Sequence, residues 1–195
     1  IYSIHSKEPI SKSFGQGYSY KEFMSLAQCD SCIMKPETCH FHKGSCRDNA
    51  WAKEHCFIDH YVYLSVTSGV KVGITRHTQV PTRWIDQGAH EAIEIVEAPN
   101  RYLAGITEVA LKDYVGDKTN WRKMLKNDIE DENLVEWREH LKSYIPNEAK
   151  DYFIESNTET NIEFPVIKYP KKPKSLNIQK EQKYSGKLVG IKGQY

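Results

Sequence analysis

No cysteine lies beyond residue 56 of this 195-residue chain, no apolar run approaches the length of a membrane span, and no tract is repetitive or of low complexity. The missing apolar run excludes a membrane-spanning helix from the sequence. The absence of any periodic self-similarity excludes repeat architectures. A phosphate-cradling loop is also lacking, because no helix follows the glycines of 186–193 and their spacing does not fit one. No signal peptide is visible, so the expected compartment is the cytoplasm. The chain begins on Ile1 and stops within what reads as a strand, so it is expected to be a piece of a longer protein. Net charge is only +1, which hides an uneven distribution. Residues 101–160 carry nine basic against thirteen acidic side chains, net −4; residues 161–195 carry eight lysines against Glu163 and Glu181, net +6. A basic end on a neutral body points to contact with a polyanion.

With 39% hydrophobic and 27% charged residues, what is present is a globular protein with one substantial core or two small ones. All five cysteines, Cys29, Cys32, Cys39, Cys46 and Cys56, fall in one short segment together with His40, His42, His55 and His60. The spacing C-x2-C-x6-C-x6-C suits a tetrahedral zinc ion, and an odd count argues against a disulfide framework. Cys29, Cys32, Cys39 and Cys46 form the tightest set; Cys56 in place of Cys39, or His40 in its place, stays open. No coordination position is left free, so the zinc is expected to be structural.

The run from His60 to Arg76 reads as two strands, 61–66 and 70–75, hinged at Thr67-Ser68-Gly69. A short helix is expected over 79–88, with Gly88 as its stop. Residues 91–97 alternate at period two and read as a third strand. Asn100 is placed to cap a helix over 101–115 whose buried stripe is Leu103, Ile106, Ala110 and Tyr114, widened by Ala104, Leu111 and Val115, with Glu108 at its border. Helices are also expected over 21–27, 121–126 and 132–145. Tyr169-Pro170-Lys171-Lys172-Pro173-Lys174 reads as an extended basic linker, and 175–178 and 186–193 as the start of a C-terminal β unit. The expected class is α+β: a zinc-binding module over 1–60, a three-stranded antiparallel sheet flanked by helices over 61–150, and a linker with a truncated β unit over 151–195.

Two resemblances follow from these residues. Cys29-Asp30-Ser31-Cys32, Gly69 to Arg76, Arg83 to Ala89 and Gly190 to Tyr195 resemble a bacterial family known as domain of unknown function 2797. Relatives carry a further cysteine-rich knuckle near the N-terminus, where Ser19 and Glu22 stand here instead. Tyr63, Lys71-Val72-Gly73, Arg83 and Glu108 resemble the core of GIY-YIG nucleases, in a branch whose second motif reads Lys-Ile-Gly-Ile-Thr. That resemblance implies that Tyr63 helps to activate water, Arg83 grips the phosphate and Glu108 holds Mg2+ or Mn2+. Lys71, Gly73 and Arg76 would follow the nucleic-acid backbone, DNA or RNA. Such chemistry needs an activated water, a cation for the developing charge and help for the leaving oxygen. The second signature tyrosine is replaced by Val72, which removes one hydroxyl. A non-cleaving nucleic-acid-binding protein therefore stands beside the nuclease as a second class, with a zinc-stabilised interaction scaffold as a third.

Overall fold

His60–Val66, the strand β1, has every residue buried except Tyr61, which is half-buried, so a partner is needed on each side. Val70–Arg76 (β2) supplies one, antiparallel, across the turn Thr67–Gly69, with Leu64 opposite Val72 and Tyr63 opposite Gly73. Glu91–Ala98 (β3) supplies the other, also antiparallel, with a register shift between Val62 and Tyr63. These strands match the expected ones to within a residue or so at each end. The structure is a computed structural model that describes residues 1–177, 180 and 183–195.

The sheet has four strands and not three, in the order β2-β1-β3-β4, because Thr160–Asn161 (β4) pairs with Glu91 and Ala92. The physical reason is the outer edge of β3. Its backbone groups need cover, and the segment 153–162 provides it: Ile154 N–H donates to Ile95 O at 3.0 Å and Ile162 N–H to His90 O at 2.9 Å. A two-residue strand leaves no alternation to read in a sequence.

The helices are Tyr20–Ser25 (α1), Ser31–Met34 (α2), Asn49–His55 (α3), Thr82–Asp86 (α4), Arg101–Leu111 (α5), Trp121–Lys126 (α6) and Leu134–Leu141 (α7). The expected helix over 79–88 is shorter: a 3-10 turn His77–Gln79 precedes α4, and Gly88, at φ +71°, ends the segment. Asn100 caps α5 as its position predicts, its side chain accepting from Leu103 N–H at 2.9 Å. The buried face of α5 takes in Leu103 and the expected widening residues Ala104 and Leu111, with Val115 just past the helix end, and adds Gly105 and Thr107. Ile106 and Ala110 are half-buried and Tyr114 is exposed beyond the helix end. The added residues follow from a second neighbour: the 3-10 turn Pro36–Thr38 lies on Gly105, where a Cβ would stand 2.5 Å from Pro36 Cβ and 2.8 Å from Glu37 N. A helix covered on two sides buries more than one stripe.

The main core joins Val62, Leu64, Val66, Val72, Ile93 and Ile95 to Leu103, Ala104 and Leu111 of α5, Leu134 and Leu141 of α7, and Ile145. Each fully buried Leu or Ile there contributes roughly 2 kcal/mol. A smaller cluster of Tyr63, Trp84, Ala89 and Ala92 fills the other face under α4. Among the described residues of 186–193 the expected strand is reduced to one bridge, Val166 with Gly190. The chain instead turns at Gly193 (φ +61°) against Asp86 O and Gly88, and Lys192 is buried with its ammonium donating to Asn127 at 3.0 Å. Ile178, at the end of the other expected strand, lies outside the described residues. No described helix is long and apolar enough to cross a membrane.

Candidate functional site

The outer edge of β2 is paired only at its beginning. Gly116, just after α5, bridges Lys71 and takes the Val72 N–H at 2.9 Å. Beyond it the consecutive run Lys71–Arg76 lines an open cleft of about 490 Å³, walled by Arg83 and Gln87 on the α4 side and by Arg101 and Glu108 on the α5 side. Tyr63, Lys71, Gly73, Arg76, Arg83 and Glu108, the six residues singled out in the sequence for this unit, all line it. Two strands and two helices spread over 46 positions are needed to bring them there.

Tyr63 reaches the cleft across the strand pair. Its hydroxyl donates to Gln87 Oε1 at 2.9 Å and its ring meets Trp84 edge-on at 5.8 Å. Gly73 makes that path possible, because a Cβ at this position would stand 2.8 Å from the Tyr63 hydroxyl and 2.9 Å from Cζ. Gly73→Ala is therefore expected to destabilise the fold by about 1–3 kcal/mol, read as a lower urea midpoint with an unchanged slope. An unchanged midpoint would show that Tyr63 is not held against that strand. Lys71, 5% exposed, donates to the same Gln87 Oε1 at 2.7 Å. Gln87 thus ties the strand lysine to the strand tyrosine, and the sequence analysis did not give it that role. Its sequence signals were its place in the Arg83–Ala89 motif and its position four residues after Arg83, on the same helix face.

Burial governs the electrostatics. Lys71 is brought down to about 8 by burial and by the nearby Arg83 charge, against the pull of Asp117 and Glu108. Tyr63 is pushed up to about 12, chiefly by burial, so it is a neutral donor and not a base near neutral pH. Burial also raises Glu108, and it outweighs the Lys112 ammonium 3.7 Å away. Lys112 lies 3.7 Å from Asp117 as well, so one lysine bridges two carboxylates at the mouth. Asp117 had no sequence signal; the bridge of Gly116 to β2 puts it there. Glu108 and Asp117 supply carboxylates of the kind through which Mg2+ binds, and both are salt-bridged to Lys112.

The cysteine segment forms the remaining wall: Ile33, Met34 and Pro36 line the cleft, and Arg101 Nη2 donates to Ile33 O at 2.7 Å. Within that segment Asp30, Cys32 and His40 place ligand atoms within 4.8 Å of one another, a group fit to hold a metal ion. Asp30, unremarked in the sequence, is salt-bridged to Arg47 at 3.0 Å. Cys32 is pushed up to about 11 by burial, then by Asp30 and by the thiols of Cys39, Cys56 and Cys46. Of the four cysteines expected as ligands, Cys32, Cys39 and Cys46 share one small cavity with Cys56 and His40, and Cys29 does not line it.

The family model described as a protein of unknown function, DUF2797, matches residues 1–195. No curated protein and no solved structure matches the chain.

Proposed function

For a chain that belongs to the DUF2797 family along its whole length, we propose a metal-dependent phosphodiesterase acting on nucleic acid, with a core like that of GIY-YIG nucleases. The observation that carries this reading is the convergence of Lys71, Arg76 and Arg83 with Glu108 and Tyr63 on one cleft. Three cations around a carboxylate suit a phosphodiester, whose charge must be gripped while a cation is held beside it. Arg83 and Arg76 grip the backbone phosphates, and the guanidinium of Arg83 stays charged throughout. Glu108, with Asp117, holds Mg2+ or Mn2+, which supplies charge neutralisation and an acidified water when bound. Tyr63 stays protonated and fixes Gln87. Lys71, poised near neutrality, either balances phosphate charge or passes a proton near Gln87. A structural zinc in the cysteine segment keeps the third wall in place.

A second reading, binding without cleavage, is favoured by Lys112, which already spans Glu108 and Asp117. Labelled single- and double-stranded DNA and RNA, titrated with Mg2+ or Mn2+, decide between them. Cleavage of one of these supports the enzyme. Salt-dependent binding alone leaves the binder, and neither result leaves the interaction scaffold.

The charge on Lys71 gives this site a pH signature. Its folded pKa of about 8 lies below the ordinary 10.5. Binding of nucleic acid is expected to weaken as pH rises from about 7 to about 9, as the ammonium is lost. Fold stability should move the other way, because a lysine depressed by folding penalises the native state fully below its folded pKa of about 8, and that penalty is relieved progressively as pH rises toward the ordinary 10.5. Affinity measured across that range should show the decline in wild type and a flatter profile in Lys71→Met. Parallel profiles for the two would remove Lys71 from the binding surface.

A further inference from the structure

Five thiols are more than one tetrahedral site can use, and the fold sorts them. Cys32, Cys39, Cys46 and Cys56 line one cavity of about 20 Å³ together with Asp30 and His40, whose ligand atoms lie within 4.8 Å of Cys32 Sγ and of each other; it has room for a single water or ion. They arrive from separate places: Cys32 from α2, Cys39 from the end of the turn Pro36–Thr38, Cys46 from the loop before α3, and Cys56 from the C-cap of α3. Cys32, Cys39 and Cys56 also line the adjoining hollow beneath Arg101. Cys29 lines neither hollow and sits instead beside Arg47 and Glu22.

The other donors near Cys32 are engaged. Asp30 accepts Arg47 Nε at 3.0 Å and faces His40 Nε2 at 3.4 Å, while His40 Nδ1 meets Ser45 Oγ at 2.9 Å. Two guanidiniums flank the cluster. Arg47 Nη1 is tied to Phe23 O and Leu26 O, both at 3.1 Å. Arg101 has its own N–H on Cys56 O at 2.7 Å, yet its buried Nε finds no acceptor. A bound thiolate group would carry negative charge next to Arg101, whose Nε has no acceptor, while Arg47 is already paired with Asp30.

We infer that one zinc ion is held by the thiolates of Cys32, Cys39, Cys46 and Cys56, that Asp30, His40 and Arg47 form an outer ring around it, and that Cys29 is not a ligand. Soft thiolates are the usual structural zinc set, and a carboxylate already paired with arginine is a poor competitor. The assignment rests on the zinc reading above and is independent of the chemistry in the cleft. Cys29 instead feels the charges of Arg47 and Glu22, and Glu22 is satisfied without metal: it accepts Ser3 Oγ at 2.6 Å, Ser19 N–H at 2.7 Å and Ser6 N–H at 3.1 Å.

The test uses the full chain, purified without added metal. Elemental analysis is expected to give about one zinc per chain, and native-state alkylation read by mass spectrometry should label Cys29 while sparing the other four. Cys29→Ser should keep the zinc and, after cobalt exchange, an unaltered thiolate-to-cobalt absorption. Cys56→Ser should lose the metal or weaken that absorption by about a quarter, one ligand in four. Retention of zinc by Cys56→Ser with its loss in Cys29→Ser would overturn the assignment. So would an Asp30→Asn or His40→Ala protein whose cobalt spectrum changes as if a ligand had gone. Wild type without zinc, and with all five thiols alkylated, overturns the zinc reading itself and leaves the cleft untouched.

Discussion

Glu108→Gln is expected to lower cleavage of the preferred nucleic acid roughly a hundredfold or more while leaving its binding within about twofold. On the phosphodiesterase reading, the amide keeps the shape of the side chain and removes the charge that would anchor the divalent ion. Binding rests on other groups, Arg83 and Arg76, so it survives. Arg83→Ala should behave differently. It deletes a phosphate contact, weakens binding by roughly tenfold or more and lowers cleavage with it, and reduces the salt slope by about 1. The measurement is a paired one: binding in a chelator, then turnover in Mg2+ or Mn2+. If Glu108→Gln cleaves as well as wild type, the carboxylate is not the metal anchor and the phosphodiesterase reading loses its centre. Burial raises the pKa of Glu108, so the anchoring charge is lost at a higher pH than for an ordinary carboxylate. Turnover is therefore expected to fall as pH drops toward that raised value.

Removal of the zinc should produce the largest structural effect. Between residues 27 and 58 only Ala27, Asp30, Pro36 and Ala52 are buried, and no strand crosses the segment. So little apolar burial cannot hold some thirty residues against their chain entropy, which costs about 1–2 kcal/mol per residue. A structural zinc supplies on the order of 10 kcal/mol in comparable small modules. Amide exchange in residues 29–57 is expected to lose most of its protection when a strong chelator strips the metal. The strands β1–β3, with their own core, should keep theirs. Exchange followed by mass spectrometry reads both regions in one experiment. Unchanged protection in 29–57, with elemental analysis showing the metal gone, would mean that packing alone orders the segment. Because Ile33, Met34 and Pro36 wall the cleft, nucleic-acid binding should also decline on stripping.

Much of the central unit was legible because its signals are local. A strand pair with a glycine turn, a period-two run at 91–97 and an Asn cap before a helix each show within a few residues of chain. Lysine, arginine and glutamate at the cleft could be named from the motif residues, since their spacing follows those same elements. The cysteine segment was legible as a metal candidate for the same reason: thiols crowd together in the chain before they do so in space.

Other features had no local signature. The burial of Gly105 and Thr107 on α5 was not legible because its second neighbour, the turn Pro36–Thr38, comes from 60 or more positions away and packs directly on Gly105. Strand β4 is two residues long and exists only because β3 has an edge to cover. Gln87 lies in a motif that does not tell its role, which comes from one amide oxygen that two buried donors reach from different strands. Sequence by itself determined which residue types are present and which short elements they form, since propensity, alternation and capping act over a few residues. Only tertiary structure decided which thiols share a cavity, which carboxylate stands beside Glu108 and how far Lys71 is buried, because cavities, neighbours and desolvation arise where distant segments meet.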